Sequence, residues 1–211
     1  MSRVVAVVQR KGGVGKTTVA VSIAGEIARR GMGVGLVDAD PQGSSCQWAE
    51  PGRLPFDVYE LSLRDRSVED WAREIRDLGE DYVVIDCPPD DRQLGAAIAV
   101  ATVAVIPCTP SGLDIEATTQ TLAIVHHAKA RRGSLPVVVL VANRVDRRTL
   151  EGRQVLAELG HFGEAIAPPL GSRFEFVRAF SVGQTIAEFA PNSRADHECR
   201  ALGDFLLTCF P

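Results

Sequence analysis

Short runs of apolar, often β-branched residues alternate with longer amphipathic segments along nearly the whole chain. Such short runs predict buried strands, and apolar residues at three- and four-residue spacing predict helices. The predicted strands are residues 4–8, 34–37, 57–61, 82–85, 103–106, 137–141 and 165–167. The predicted helices are residues 17–30, 68–77, 90–100, 114–131, 149–159 and 194–208. This alternation predicts an α/β fold with a mainly parallel twisted sheet, helices on both faces and ligands at the carboxyl ends of the strands.

Composition narrows the class of protein. A chain of 211 residues with 45% hydrophobic and 24% charged residues predicts one globular domain over residues 1–211. The start, MSRVVAVV, lacks a cleavage site, and no apolar run approaches membrane-spanning length. Five cysteines without a C-x-x-C pair favour neither a disulfide framework nor a zinc ribbon, so we expect a cytoplasmic protein. A net charge of -4 argues against a surface that is basic throughout, which leaves room for a local arginine patch.

The stretch KGGVGKTT, residues 11–18, follows the first predicted strand and precedes the first predicted helix. A glycine-rich turn between these elements leaves backbone N–H groups pointing into one concavity that suits phosphate oxygens. Lys16 is placed to reach the outer phosphates, and the Thr17 hydroxyl is placed to bind the Mg²⁺ that accompanies ATP. The alternative, a Gly-Lys-Thr surface turn, does not account for strand, loop and helix in this order.

The loop departs from the strict P-loop pattern, which has glycine where this chain has Arg10. The next residue is Lys11. Of the 23 basic residues in the chain, only three are lysines: Lys11 and Lys16 in this loop, and Lys129 outside it. Two lysines in one loop of an arginine-rich chain indicate that a compact ammonium group is needed there.

These residues resemble the deviant Walker A loop of the ParA/MinD family of dimeric ATPases. The resemblance implies that Lys11 crosses to the nucleotide of the facing subunit, so that Lys11 and Lys16 both serve catalysis in an ATP-bound homodimer. It also implies a single-domain P-loop NTPase fold and a set of nucleotide-binding residues: Lys11, Gly12, Gly13, Val14, Gly15, Lys16, Thr17 and Thr18.

Carboxylates follow two predicted strands. The second strand ends in DADPQG, residues 38–43, and we expect it beside the first strand because consecutive strands usually neighbour each other. Family resemblance assigns Asp40 to the hydrolytic water and Asp38 to the magnesium shell. The fourth predicted strand, residues 82–85, is followed by Asp86, which resembles a Walker B carboxylate that reaches magnesium through water. The alternatives are an acidic turn and a helix-capping aspartate; Cys87 is interpreted as a small buried residue.

The later loops carry weaker signals. Asn143 and Arg144 end a strand, and an amide there is suited to pairing with an adenine edge; resemblance supports this contact, with Pro168 nearby. Four arginines are candidates for non-specific DNA binding: Arg147, Arg148, Arg173 and Arg178. For Arg148 and Arg173 the candidacy comes from the family resemblance. Arginines on loops are, however, usually solvated.

Two further segments have competing interpretations. Asp114 is predicted to cap the helix that follows PCTPSGLD, a loop that in the family lines the dimer face. The last helix, from Arg194, has apolar residues at helical spacing and no cation after Arg200. A helix that lies on a membrane usually carries basic residues, so we predict that this one docks on the protein.

The resemblance therefore predicts a short ParA-type ATPase, associated with the nucleoid. It would dimerise on ATP, bind DNA non-specifically and position or segregate a plasmid, a chromosome or a large protein assembly, with hydrolysis stimulated by a ParB-like or cargo-adaptor protein. One alternative is a MinD-like division regulator bound to a membrane. The other is an iron–sulfur carrier or reductase on the same fold, which needs paired cysteines that the sequence does not show.

Overall fold

The structure is a computed structural model that describes residues 2–64, 66–133 and 135–210. These residues form seven strands and nine helices. The strands are β1 (Arg3–Val7), β2 (Val34–Asp38), β3 (Asp57–Glu60), β4 (Tyr82–Asp86), β5 (Val103–Cys108), β6 (Val137–Ala142) and β7 (Ala165–Ala167). The helices are α1 (Lys16–Ala28), α2 (Ser44–Ala49), α3 (Val68–Asp77), α4 (Asp91–Val100), α5 (Gly112–Arg132), α6 (Leu150–Gly160), α7 (Phe174–Val182), α8 (Ile186–Phe189) and α9 (Arg194–Thr208).

The strands form one sheet in the order β3-β2-β4-β1-β5-β6-β7, and every neighbouring pair is parallel. One face packs on α3 to α6, for example through Trp71, Leu94 and Val125. The other face packs on α1, α2 and α7 to α9, for example through Ile23 and Trp48. The predicted parallel sheet with helices on both faces is confirmed.

One expectation about strand neighbours is wrong. β2 does not lie beside β1, because β4 is inserted between them. The β2–β4 register places Asp38 directly opposite Asp86 at the carboxyl ends of the two strands. The acidic turn therefore reaches the glycine loop across β4, and the two predicted magnesium carboxylates are cross-strand neighbours.

The last helix docks on the protein, as predicted from its sequence. Ala195, Leu202 and Leu206 of α9 are buried in the core cluster that also contains α1. Asp196, fully buried, accepts a hydrogen bond from Arg29 Nη1 of α1 at 2.6 Å and one from Arg200 Nη2 at 2.9 Å. Within the parts of the chain that the structure describes, no helix has the length and apolar character needed to cross a membrane.

Candidate nucleotide-binding site

The glycine loop connects β1 to α1 at the carboxyl edge of the sheet. Helix α1 begins at Lys16, so Thr17 lies in its first turn, where backbone N–H groups have no partner within the helix. Gly15 precedes the helix with a φ of 89°, and a Cβ there would collide with the amide nitrogen of Asn143. Glycine is therefore required at position 15 both by conformation and by space.

A pocket of about 750 Å³ lies over this loop. It collects residues from the loop, the turn after β2 and the ends of β4 and β6. Of the predicted site residues, those lining it are Gly12, Gly13, Gly15, Lys16, Thr17, Thr18, Asp40, Asp86, Asn143, Arg144 and Arg173. Val14 is buried behind the loop, and Pro168 lines a neighbouring groove.

The two strand-end carboxylates lie beneath the pocket, and both are buried. Asp86 Oδ2 accepts a hydrogen bond from Thr17 Oγ1 at 2.7 Å and one from Ser45 Oγ at 2.9 Å. Asp38 accepts from the backbone N–H groups of Asp40 and Cys46, at 3.1 Å and 2.9 Å. Burial raises the pKa of Asp86 to about 7, although Thr17 and Ser45 act in the opposite direction. Burial also raises the pKa of Asp38.

Lys16 is the buried cation of the site, with only 8% of its surface exposed. Its Nζ donates to the carbonyl of Lys11 at 3.0 Å. Burial lowers the pKa of Lys16, and the nearby Asp86 partly offsets this effect. Such a desolvated ammonium group gains most from an anionic ligand, because charges interact more strongly away from water.

Asp40 is held by its own turn. Its Oδ1 accepts from the Gln42 N–H at 2.9 Å, and its carbonyl accepts from the Gly43 N–H at 2.8 Å. The side chain lines the pocket, half-buried, across from the glycine loop. A carboxylate fixed in this way can orient a water molecule in the pocket.

Lys11 points away from the pocket of its own chain. Its Nζ forms a salt bridge with Asp114, whose carboxylate also accepts from the Thr109 hydroxyl and backbone N–H. Burial tends to raise the pKa of Asp114, but the bonds from Lys11 and Thr109 outweigh it and lower that pKa. The prediction that Asp114 caps α5 is wrong, because the helix begins at Gly112 after Ser111 and leaves Asp114 in the first turn.

Asn143 braces the glycine loop. Its Nδ2 donates to the Val14 carbonyl at 2.8 Å, and its Oδ1 accepts from the Arg144 N–H at 2.9 Å. The amide is 2% exposed, whereas Arg144 lines the pocket beside it. In this geometry the side chain of Asn143 supports the loop at Gly15, and its contact with adenine stays a prediction.

A second groove, of about 750 Å³, lies between the loops that follow β6 and β7 and the start of α9. The structure brings together three of the four candidate arginines there, with two residues that the sequence analysis did not select. They are Arg147, Arg148 and Arg173, joined by Arg194 and His197. Two of the arginines have acidic partners: Arg148 pairs with Asp146 and Arg173 with Glu198. Arg178 is exposed on α7, outside this groove.

Sequence reasoning missed the wall of the nucleotide pocket formed by α2 and α7. Trp48, Phe176, Val177 and Phe180 line it, and Val177 is 65% exposed. It also missed Ser45, which is fully buried against Asp86. The doubled serine after DADPQG was the one available signal, since a hydroxyl just past two carboxylates is a natural hydrogen-bond donor to them.

The donors around Thr17 are hard oxygens, which suit Mg²⁺. Thr17, Asp38 and Asp86 supply a hydroxyl and two carboxylates close to the loop. Cys87 is buried, which raises the pKa of its thiol and supports its interpretation as a packing residue. Among the described residues, no group of three histidine, cysteine or acidic side chains is arranged to hold a metal by itself.

A glycine loop between a central parallel strand and a helix, with a buried lysine and a Walker B carboxylate beside it, defines a P-loop nucleotide-binding domain. The chain belongs to the CobQ/CobB/MinD/ParA family, because the model of that nucleotide-binding domain matches residues 5–186. The resemblance seen in the sequence is thereby confirmed.

The relatives include partition and positioning ATPases of the ParA, Soj and McdA kind. The chain is 42% identical over 166 residues to the maintenance of carboxysome distribution protein A of Gloeobacter kilaueensis, covering 75% of this chain and 72% of that protein. It is 33% identical to the chromosome-partitioning ATPase Soj of Thermus thermophilus, covering 96% and 94% of the two chains.

Solved structures agree on the fold. Apo McdA from Cyanothece superposes with a TM-score of 0.78 at 16% identity, over 98% of this chain and 100% of that one. MinD in the MinC:MinD complex from Aquifex aeolicus superposes with a TM-score of 0.80 at 18% identity, over 98% and 96%.

Proposed function

We propose that this protein is a ParA-type ATPase that binds ATP with Mg²⁺, dimerises on ATP and positions or segregates a cargo on DNA through partner-stimulated hydrolysis. The observation that carries the proposal is the convergence of Lys16, Thr17, Asp40 and Asp86 on one pocket at the carboxyl edge of the sheet. Phosphoryl transfer needs mainly positioning and charge stabilisation, and these four residues supply both.

The residues have separate roles in this proposal. Backbone N–H groups of the glycine loop and Lys16 bind the ATP phosphates, while Thr17, Asp38 and Asp86 hold magnesium directly or through water. Bound magnesium would neutralise charge on the phosphates. Asp40 orients the attacking water, and apolar side chains of α2 and α7 form one wall of the pocket.

Lys11 serves the facing subunit. In this chain it is paired with Asp114, so reaching across requires it to exchange that carboxylate for the partner's phosphates. Two copies then close with their glycine loops facing, and hydrolysis separates them by removing the phosphate that Lys11 contacts.

Lys11→Ala should spare ATP binding but weaken ATP-dependent dimerisation, because the side chain binds its own subunit at Asp114 and not inside the nucleotide pocket. We expect the dimer dissociation constant to rise about 10-fold or more, as for the loss of one charge-assisted contact. Light scattering after gel filtration with a non-hydrolysable ATP analogue measures this. Lys129→Ala in α5 is the control, and equal dimerisation of both variants would contradict a role for Lys11 across the interface.

The groove formed by Arg147, Arg148 and Arg173 is the proposed DNA contact. Binding of random-sequence duplex should require ATP and weaken steeply with salt, because displaced counterions dominate such binding. Arg147→Ala should lower the affinity and reduce the salt slope by about one. The measurement is fluorescence anisotropy with ATP, ADP or no nucleotide across a salt series. Arg76→Ala is the matched control, because Arg76 is exposed on α3, which lies beside β3 at the opposite edge of the sheet.

Absence of DNA binding in every nucleotide state would leave the ATPase proposal intact and would remove the groove as a DNA-binding surface.

The names of two relatives indicate the kind of cargo. One maintains the distribution of carboxysomes and another partitions chromosomes, so a large assembly or a DNA molecule fits this chain. A ParB-like or cargo-adaptor protein would stimulate hydrolysis, with the ATP dimer at the nucleoid.

A further inference from the structure

Ser45 lies in the first turn of α2 and is fully buried. Its Oγ donates to Asp86 Oδ2 at 2.9 Å, and Thr17 Oγ1 donates to the same oxygen at 2.7 Å. The next residue, Cys46, donates its backbone N–H to Asp38 Oδ2 at 2.9 Å. The first turn of α2 is therefore hydrogen-bonded to both carboxylates that face the predicted magnesium position.

The other end of α2 is fixed to a different part of the protein. Trp48 Nε1 donates to the carbonyl of Gln184, between α7 and α8, at 3.0 Å. The Trp48 ring also packs edge-on against Phe180 of α7, with 5.3 Å between ring centroids. Helix α2 thus connects the Walker B carboxylate to the apolar wall of the nucleotide pocket over only six residues.

An aspartate carboxylate rotates in a broad torsional well, so its hydrogen-bond partners decide which oxygen faces a ligand. Thr17 donates to the Asp86 carboxylate from the glycine loop, and Ser45 donates to it from α2. Two donors on one oxygen restrict rotation of the carboxylate and keep its other oxygen available. With Thr17 alone, the carboxylate is free to turn about a single bond.

We propose that Ser45 is a positioning residue: it orients the Asp86 carboxylate for the metal and transmits loading of the site through α2 to Trp48. This rests on the proposed function, in which magnesium arrives with the nucleotide at the glycine loop. Ser45 is not among the residues that line the nucleotide pocket, and it acts through Asp86.

Ser45→Ala tests the positioning role. Nucleotide affinity in EDTA should stay within about 2-fold of wild type, while the Mg²⁺ concentration that half-saturates the metal-dependent gain in ADP affinity should rise about 10- to 100-fold, as is typical when a partner of a metal ligand is removed. Fluorescent ADP binding across a magnesium series measures both. Ser45→Thr, which keeps the hydroxyl, should restore most of the magnesium affinity.

Ser22→Ala is the matched control. It also removes a buried hydroxyl, one that donates to the Thr18 carbonyl of its own helix at 2.7 Å and does not contact Asp86. It should leave the magnesium dependence unchanged. Thermal melting without nucleotide shows whether each variant is folded. If Ser45→Thr is not folded, the comparison of Ser45→Ala with Ser22→Ala decides the result.

Tryptophan fluorescence tests the transmission step. Trp48 and the other tryptophan, Trp71, lie in core clusters on opposite faces of the sheet, and Trp71 serves as a constant background. Magnesium added to the ADP complex should change the emission of wild type and of Ser22→Ala. The change should be lost in Ser45→Ala even at saturating magnesium.

The outcomes separate this proposal from the proposed function. An unchanged magnesium requirement in Ser45→Ala would overturn the positioning role, and an unchanged emission response would overturn transmission to Trp48. If wild type itself bound no nucleotide with or without magnesium, the proposed function would fail first.

Discussion

Lys16→Ala is expected to abolish nucleotide binding. The ammonium group is almost entirely buried among the glycine loop, Asp86 and Asp40, where burial lowers its pKa and bulk water does not screen it. Its bond to a phosphate oxygen is charge-assisted, so its loss should raise the ATP dissociation constant at least about 100-fold, which corresponds to about 3 kcal/mol. Calorimetric titration with ATP and magnesium gives this constant.

Two controls make the result specific. Lys129→Ala removes a lysine from α5, away from the pocket, and should leave the affinity unchanged. Melting temperatures of the two variants show whether a loss of ATP affinity is caused by unfolding. Unchanged ATP affinity in folded Lys16→Ala would remove the assignment of the glycine loop as the phosphate site.

Asp40→Ala should separate binding from hydrolysis. The side chain lines the pocket, and among the described residues it accepts a hydrogen bond only from the Gln42 N–H of its own turn, so its loss should change ATP affinity by about 3-fold at most. Without a carboxylate to orient the water, hydrolysis should slow about 10²- to 10⁴-fold. The ATP dimer should then persist in gel filtration with ATP itself, where wild type returns to monomer.

Asp40→Asn is the matched variant, because an amide oxygen still accepts from the Gln42 N–H and preserves the turn. If charge is the essential property, Asn and Ala variants should be equally slow. Recovery by Asn would assign Asp40 a role in the turn alone, and normal hydrolysis in the Ala variant would exclude it as the water-orienting residue.

The local geometry of the glycine loop could be predicted because its residues are contiguous. A strand, KGGVGKTT and a helix in sequence order determine one local geometry, and Gly15 and Thr17 lie where that order places them. Most strand and helix positions could also be predicted, since periodic segments such as those of α3 and α9 bury one face.

The short helices α2 and α7 could not be predicted from the sequence. Helix α2 has six residues, too few for a periodic pattern, and α7 places apolar residues around its whole circumference. Phe176 of α7 is buried while Phe174 is 82% exposed, so the sequence gives no single apolar stripe. The pocket wall formed by Trp48 and Phe180 was therefore missed.

By itself, the sequence determined the fold class, the position of the glycine loop between a strand and a helix, and the family, because each depends on neighbouring residues or on the order of elements. Only the tertiary structure decided that β4 lies between β1 and β2, which pairs Asp38 with Asp86, that Lys11 binds Asp114, and that Ser45 reaches the Walker B carboxylate. These contacts join residues about 40 to 100 positions apart, and which of them form is set by strand order and helix packing, for which no local pattern exists.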